Sequence, residues 1–431
     1  VFLHTLELRL NLQFIFCCLL FACHHCYVLS NSKEAYVKVA DDVFLHTLEY
    51  GDPAAPVILM LHGFPDLSLS WQYHAQRLAE EGYFVVTPDL RGFGSSSIPT
   101  EGKLEAYSRQ SLVSDIDALR NHYCGADGSF ALLCGHDWGG LVVWGVLEAL
   151  GRHDHDHGAK KKIIAKSAVV INAPHPRVFS NYIYTLKQAV KSWYIFFFQL
   201  YWFPEFFLYR TQNLYYSATK VEYQLFVQSL GLSTVTNSGE PTKCSDETNN
   251  NDDESTCVAP AATTTRDASR MMPSIIDVEA NLAVFKRALT DRDRIHAMLS
   301  YYRAITAGFW SEPSDYGKSE LSLVNRVIRW LHNNNNNGDT GGSEASSRSS
   351  ERQNDSTTIS SSVSIPTMIL WGKKDRFLGE ELASAPDGVL ENHQGTKFFD
   401  AGHWVHWEKP REVVEELIKF ANAHNNKEKE E

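Results

Sequence analysis

An excess of positive charge is missing from this sequence: its 431 residues carry 40 Lys plus Arg against 52 Asp plus Glu, a formal net charge of −12. That balance excludes a nucleic-acid backbone as the main partner and supplies no long-range pull on acidic substrates. Cysteine is also sparse. Eight scattered residues are too few for a disulfide scaffold in a chain of this length. Cys124 and Cys134 flank and end what reads as a buried strand, and are expected to be reduced core residues. Cys244 and Cys257 lie in a polar insertion, where an oxidising compartment would allow them to pair. Cys23-His24-His25-Cys26 has no second ligand pair at metal-site spacing. The glycine-rich stretch Asp89–Ser95 has no P-loop lysine and reads as structural support. Neither a cofactor nor a metal is expected.

A long apolar run is lacking as well. Phe14–Cys23 is unbroken but falls short of the about 20 residues of a membrane span. It has the length of a signal-peptide core, about 7–15 residues. A tilted anchor from Leu8 to Leu29 would place the polar residues near the interfaces. Val1–Glu7 recurs unchanged as Val43–Glu49, and only the second copy sits in a strand-like context. The first is read as an artefact of the gene model. Membrane association through the N-terminus, at the endoplasmic reticulum, is the expectation if the run is genuine, and a cytoplasmic protein if it is not.

What is present is ordinary globular composition, 43% hydrophobic and 21% charged. From Ala35 the pattern becomes regular. Strands are expected at Val37–Val39, Val43–Tyr50, Val57–Leu61, Phe84–Thr87, Phe130–Cys134 and Ala168–Asn172, with helices at Leu69–Glu81, Arg109–His122 and after Gly140. Sheet-like segments return at Thr367–Trp371 and Thr396–Phe399, with helices at Gly379–Ala385 and Pro410–Ala421. Strands alternating with helices imply an α/β fold, a mostly parallel sheet covered on both faces. The implied organisation is an N-terminal apolar segment over 1–35 and a first core half over 36–176. A helical lid over 177–320, with a polar insertion at 237–270, separates it from a second core half over 363–425. A low-complexity linker at 333–362 cannot bury enough apolar surface to offset chain entropy, and 426–431 is a charged tail. The alternating His153–His157 is read as a surface loop.

The motif that carries chemistry is Gly135-His136-Asp137-Trp138-Gly139-Gly140, between a strand and an apolar helix. Small residues around a central position suit a nucleophile elbow, a turn so tight that neighbouring side chains would clash. The presented residue is Asp137. A carboxylate is already ionised near neutral pH and attacks an electrophilic carbon directly, leaving an ester. Asp375 follows a late strand in Trp371–Asp375, and His403 follows the next in Gly402–Trp404. The order nucleophile, acid, histidine is that of the α/β-hydrolases. His403 would activate water against the ester, with Asp375 fixing its tautomer. The N–H groups of Phe64, in His62–Pro65, and of Trp138 would form an oxyanion hole.

Together with Asp89–Ser95 and Asn172–Pro176, these segments resemble the epoxide hydrolases of the α/β-hydrolase fold, most closely the animal microsomal-type relatives with an N-terminal anchor. The resemblance covers most of Tyr36–Ala421 outside the insertions. It implies two lid tyrosines that hold and protonate the epoxide oxygen. They map to Tyr194, in Ser192–Gln199, and to Tyr302, in Ser300–Arg303, with Tyr301 its neighbour. It further implies an apolar epoxide, such as a lipid epoxide, and water as the reactants. A haloalkane dehalogenase using the same Asp137 is the nearest alternative, and a hydrolase fold that only binds is the other. His406, close after His403, departs from the usual polar neutral residue. Tyr201 stands where relatives often carry proline.

Overall fold

The computed structural model describes residues 32–100, 104–152, 164–200, 202–210, 278–307, 363–386 and 388–425. The N-terminal apolar run, Cys244 and Cys257, Tyr201, His153–His157, the insertion at 237–270 and the linker at 333–362 lie outside them.

Apolar runs too short for helices build the sheet. β3 (Val57–Leu61), β4 (Phe84–Pro88), β5 (Leu132–His136) and β6 (Ala168–Ile171) are buried along their whole length, as strands covered on both faces must be. With β1 (Lys33–Lys38), β2 (Phe44–Tyr50), β7 (Thr367–Gly372) and β8 (His393–Phe399) they form one sheet in the order β1-β2-β4-β3-β5-β6-β7-β8. β1 and β2 run antiparallel, and β2 meets β4 antiparallel. Every later pairing is parallel.

The register brings the carboxyl ends of the central strands level. Leu61 faces Gly135, His136 faces Ile171, and Gly372 faces Phe399. Residues that follow β3, β5, β6, β7 and β8 therefore emerge side by side along one edge, where open α/β sheets place their ligands. The helix Trp138–Arg152 starts directly from the β5 edge. Trp138, Val142, Val143, Trp144 and Val146 are all buried, which holds that helix against the sheet.

Between β6 and β7 the described elements are helical: Pro176–Tyr182, Leu186–Lys191, Trp193–Phe197, 203–210, Val278–Thr290 and Arg292–Thr306. Ser192 ends one short helix and precedes the next. Asp291 caps the last, its carboxylate accepting from the N–H groups of Asp293 and Arg294. Among the described residues, no helix is long and apolar enough to cross a membrane.

Two expectations need correction. The helix expected at Gly379–Ala385 is only a 3₁₀ turn, Glu380–Leu382. Pro386 disfavours helical backbone at Ala385 before it and has no N–H to continue a helix. Cys134 lies inside β5, not at its end, because the strand continues through Gly135 to His136. Cys124 ends the helix Arg109–Cys124, and both thiols are free.

Candidate active site

The site is built around one backbone strain. Asp137 has φ 50°, a left-handed conformation that non-glycine residues rarely adopt. Its own N–H donates to the Ile171 carbonyl at 3.1 Å, and its carbonyl accepts from Leu141 N–H at 2.9 Å. The next strand and the first turn of the following helix thus hold the bend from both sides. A Cβ on Gly139 would strike the Leu61 carbonyl, and one on Gly63 would strike the Asp137 side chain. The small residues of the motif are steric requirements of this turn.

The Asp137 side chain is 15% exposed, enough for a small molecule to reach it. Its two oxygens have different partners. Oδ1 accepts from the Phe64 N–H at 2.8 Å, and Oδ2 lies 3.4 Å from His403 Nε2. On the far side of that ring, Nδ1 is 2.7 Å from Asp375 Oδ2. Asp375 is fully engaged: Oδ1 accepts from Phe377 N–H at 2.8 Å and Leu378 N–H at 2.9 Å, and Oδ2 also accepts from Asn172 Nδ2 at 2.7 Å.

Burial raises the cost of charge on both carboxylates, but His403 outweighs it and holds each below the usual range. Burial likewise opposes charge on His403. The neighbouring Asp375 and Asp137 overcome it and push its pKa up to about 10. The resting site is therefore a histidinium between two carboxylates. Asp375 and Asp137 together sustain that positive charge.

The aromatic residues close the other side. The Tyr302 ring packs edge-on against Phe64 at 5.3 Å, Trp138 at 4.9 Å and Phe198 at 5.0 Å, and Tyr194 meets it at 5.9 Å. Burial, with Asp137 and Asp375 adding negative charge nearby, pushes the Tyr194 phenol well above its ordinary value. That phenol stays protonated. Tyr301 points elsewhere, its hydroxyl donating to the Arg91 carbonyl at 2.9 Å. The sequence placed these two tyrosines side by side, and one helical step of about 100° separates their directions.

His403 and His406 separate in the same way. His406 is buried behind the site, stacked on Trp71 at 4.6 Å and 4.4 Å from the His136 ring. Asp66, His136 and His406 bring three possible ligand atoms within 4.8 Å of one another. Two further residues of the sequence motifs contribute to the site. Asn172 donates to Asp375 and accepts from Gly372 N–H at 3.1 Å. His136 Nε2–H donates to the His403 carbonyl at 2.9 Å, fixing the loop that carries the His403 imidazole. Asp89 acts as the expected support, accepting from Ser68 N–H at 2.8 Å and Ser95 N–H at 2.9 Å.

Comparison with known proteins agrees with this architecture. Over 183 residues the chain is 36% identical to epoxide hydrolase 4 of Homo sapiens, a match covering 41% of this chain and 45% of that protein. A longer match, 26% identical over 378 residues, is to the AB hydrolase superfamily protein YfhM of Bacillus subtilis, covering 87% of this chain and 93% of that one. The crystal structure of Bacillus megaterium epoxide hydrolase in complex with an inhibitor superposes with a TM-score of 0.56 over 90% of this chain and 100% of that chain, at 20% identity. That likeness establishes the fold. With residues 58–416 matching the family profile, the chain belongs to the alpha/beta hydrolase family.

Proposed function

We propose that the protein hydrolyses epoxides to vicinal diols through a covalent ester on Asp137, with the helices between β6 and β7 acting as a lid. The observation that carries this reading is the division of the Asp137 carboxylate: one oxygen on the Phe64 amide, the other turned toward His403 Nε2 at 3.4 Å. Relatives named epoxide hydrolases support it.

In the first step Asp137 Oδ2 bonds to the less hindered epoxide carbon as that carbon's bond to the ring oxygen breaks. Tyr194 and Tyr302 hold the oxygen and supply its proton. Burial keeps the Tyr194 phenol protonated, so it donates only to a much stronger base such as an alkoxide. The remaining oxygen, Oδ1, becomes the ester carbonyl and already rests on the Phe64 amide. Trp138, first residue of the following helix, offers the second amide of the oxyanion hole.

Ester formation removes the negative charge on Asp137. One of the two charges that keep His403 protonated is then gone, so the histidinium gives up its proton to restore the tyrosinate left by epoxide opening, and the neutral imidazole becomes available as a base. In the second step His403 takes a proton from water and the water oxygen adds to the ester carbonyl carbon. The carbonyl carbon–Oδ2 bond then breaks as His403 returns that proton to the departing alkoxide, which releases the diol, and the regenerated Asp137 carboxyl group reprotonates His403. Asp375 keeps the imidazole oriented and balances its charge. No cofactor or metal enters either step.

Phe64, Trp138, Phe198 and Phe377 around the two tyrosines favour an apolar substrate, and a lipid epoxide is the class we propose. N-terminal membrane association, resting on Phe14–Cys23, belongs to the same proposal.

The test is a single turnover of styrene oxide in water enriched in heavy oxygen, followed by mass spectrometry of the Asp137 peptide. Diol with label in that peptide is the expected result. Diol without label means direct attack by water and removes Asp137 as nucleophile. A folded protein that opens no epoxide but releases halide from a haloalkane belongs to the alternative chemistry.

A further inference from the structure

Most exposed large apolar side chains among the described residues lie in one stretch. Of thirteen such residues among those described, nine fall between Tyr182 and Phe207. Trp193 is 61% exposed, Trp202 66% and Phe207 46%. They form one patch: the Phe197 ring meets Trp193 at 5.8 Å, Phe203 at 5.8 Å and Phe207 at 5.7 Å, and Trp202 meets Phe203 at 5.9 Å. An apolar surface of this kind on a charged protein marks an interaction site.

Two further features identify the occupant. The chain carries −12 overall, yet residues 177–210 contain Arg177, Lys187, Lys191 and Arg210 against a single acid, Glu205. Arg303 and His296 hold that acid at 2.7 and 2.8 Å. On the core side, Glu381 meets Lys187 at 3.2 Å. Arg177, Lys187 and Arg210 are exposed, and Arg210 lies over the Phe206 ring. The patch is also dominated by Trp and Phe rather than by the branched aliphatics of a protein core. Aromatic rings with basic side chains at their margin are the composition of a membrane–water interface.

We propose that this face of the lid docks on an anionic lipid surface, with Trp193, Trp202, Phe203 and Phe207 inserted at headgroup depth. The helix Trp193–Phe197 then has two aspects. Trp193 and Phe197 belong to the docking face, while Tyr194 and the following Phe198 turn toward Tyr302 and the site. If the epoxide reading is correct, a bilayer-dissolved epoxide needs to cross only one layer of lid to reach Asp137. The docking itself does not rest on that reading.

Hydrogen exchange of the full chain, followed by mass spectrometry, tests it with phosphatidylcholine vesicles containing a quarter phosphatidylserine. Peptides within 186–210 should exchange about tenfold more slowly with vesicles than without, and raised salt should weaken the protection. Trp193→Glu with Phe207→Glu should abolish that protection while leaving exchange in β3 and β5 unchanged, which separates lost docking from lost folding. Protection confined to other peptides, including the N-terminal run, overturns the proposal. Protection of 186–210 without vesicles, growing with protein concentration, assigns the face to a second copy of the chain and overturns it equally.

Discussion

At the scale of single residues, the proposed mechanism separates the roles of Asp137 and His403 in time. Asp137→Ala removes the attacking oxygen and should abolish both diol and peptide label. His403→Gln leaves the attack intact and removes the base, so hydrolysis of the ester should slow by about 10³-fold. The ester should then accumulate as a mass increase on the Asp137 peptide. If His403→Gln turns over normally, His403 is not the base. Ester formation requires ionised Asp137, which His403 holds below the usual carboxylate range. That step should be flat from pH 5 to 8, whereas ester hydrolysis should rise with pH as His403 loses its proton, a split that stopped-flow measurement of the two phases resolves.

Tyr301 and Tyr302 offer a second contrast at this scale. Tyr301→Phe deletes a buried hydrogen bond to the Arg91 carbonyl and should cost about 1 kcal/mol of stability with little change in the rate of epoxide opening. Tyr302→Phe should slow that opening by about tenfold or more. Denaturant melts beside single-turnover rates of both variants decide the matter, and the reverse pattern would exchange the roles of the two residues.

At the scale of elements, the site consists of strand ends and depends on the loops between them staying in register. Asn172 is the clearest joint, linking the β6 end to Gly372 and Asp375 at the β7 end. Its φ of 43° suits Asn better than most residues. Asn172→Ala leaves the Gly372 N–H buried without its acceptor and should cost about 1–3 kcal/mol, together with slower ester hydrolysis as Asp375 loses a donor. Chemical denaturation beside the single-turnover phases measures both. Gly139→Ala forces the elbow helix away from the Leu61 carbonyl and should cost about 1–3 kcal/mol. An unchanged denaturation midpoint would mean that the elbow is not close-packed.

The element scale also separates what was legible from what was not. The order of strands and helices, and Asp137, Asp375 and His403 at strand ends, could be read because hydrophobic period and small-residue spacing are local properties. The turn at Glu380–Leu382 could not be distinguished from a helix in a short stretch rich in Glu, Leu and Ala. Nor does any local pattern reveal that His136, preceding Asp137, donates to the His403 carbonyl 267 positions away.

At the scale of the whole molecule, titration of the buried interior should be visible in stability. Burial pushes Asp66 up to about 7, against about 3.9 in an unfolded chain. Between those values the folded state binds more protons, so the Asp66 contribution is full below about pH 4 and is lost as pH rises toward 7. His406, pushed down to about 3 by burial and by His403, acts in the opposite direction, so the two must be separated by difference. Asp66→Asn removes only the first. The stability of Asp66→Asn relative to the unmutated protein should therefore rise steadily from pH 4 to 7. A difference that is constant across that range would show that Asp66 does not titrate there.

The sequence by itself determined the alternation of strands and helices, the elbow around Asp137 and the chain order of nucleophile, acid and histidine, since each depends on residues near one another along the chain. The tertiary structure decided which of two adjacent tyrosines packs against Phe64 and Tyr194 and which of two nearby histidines meets Asp137. Neighbours in sequence point in different directions from a helix or turn, and only packing establishes which direction meets Asp137. The same holds for Trp193 and Tyr194, one turned outward and one inward. Chain position cannot express that difference, because burial depends on what the rest of the molecule brings to each side.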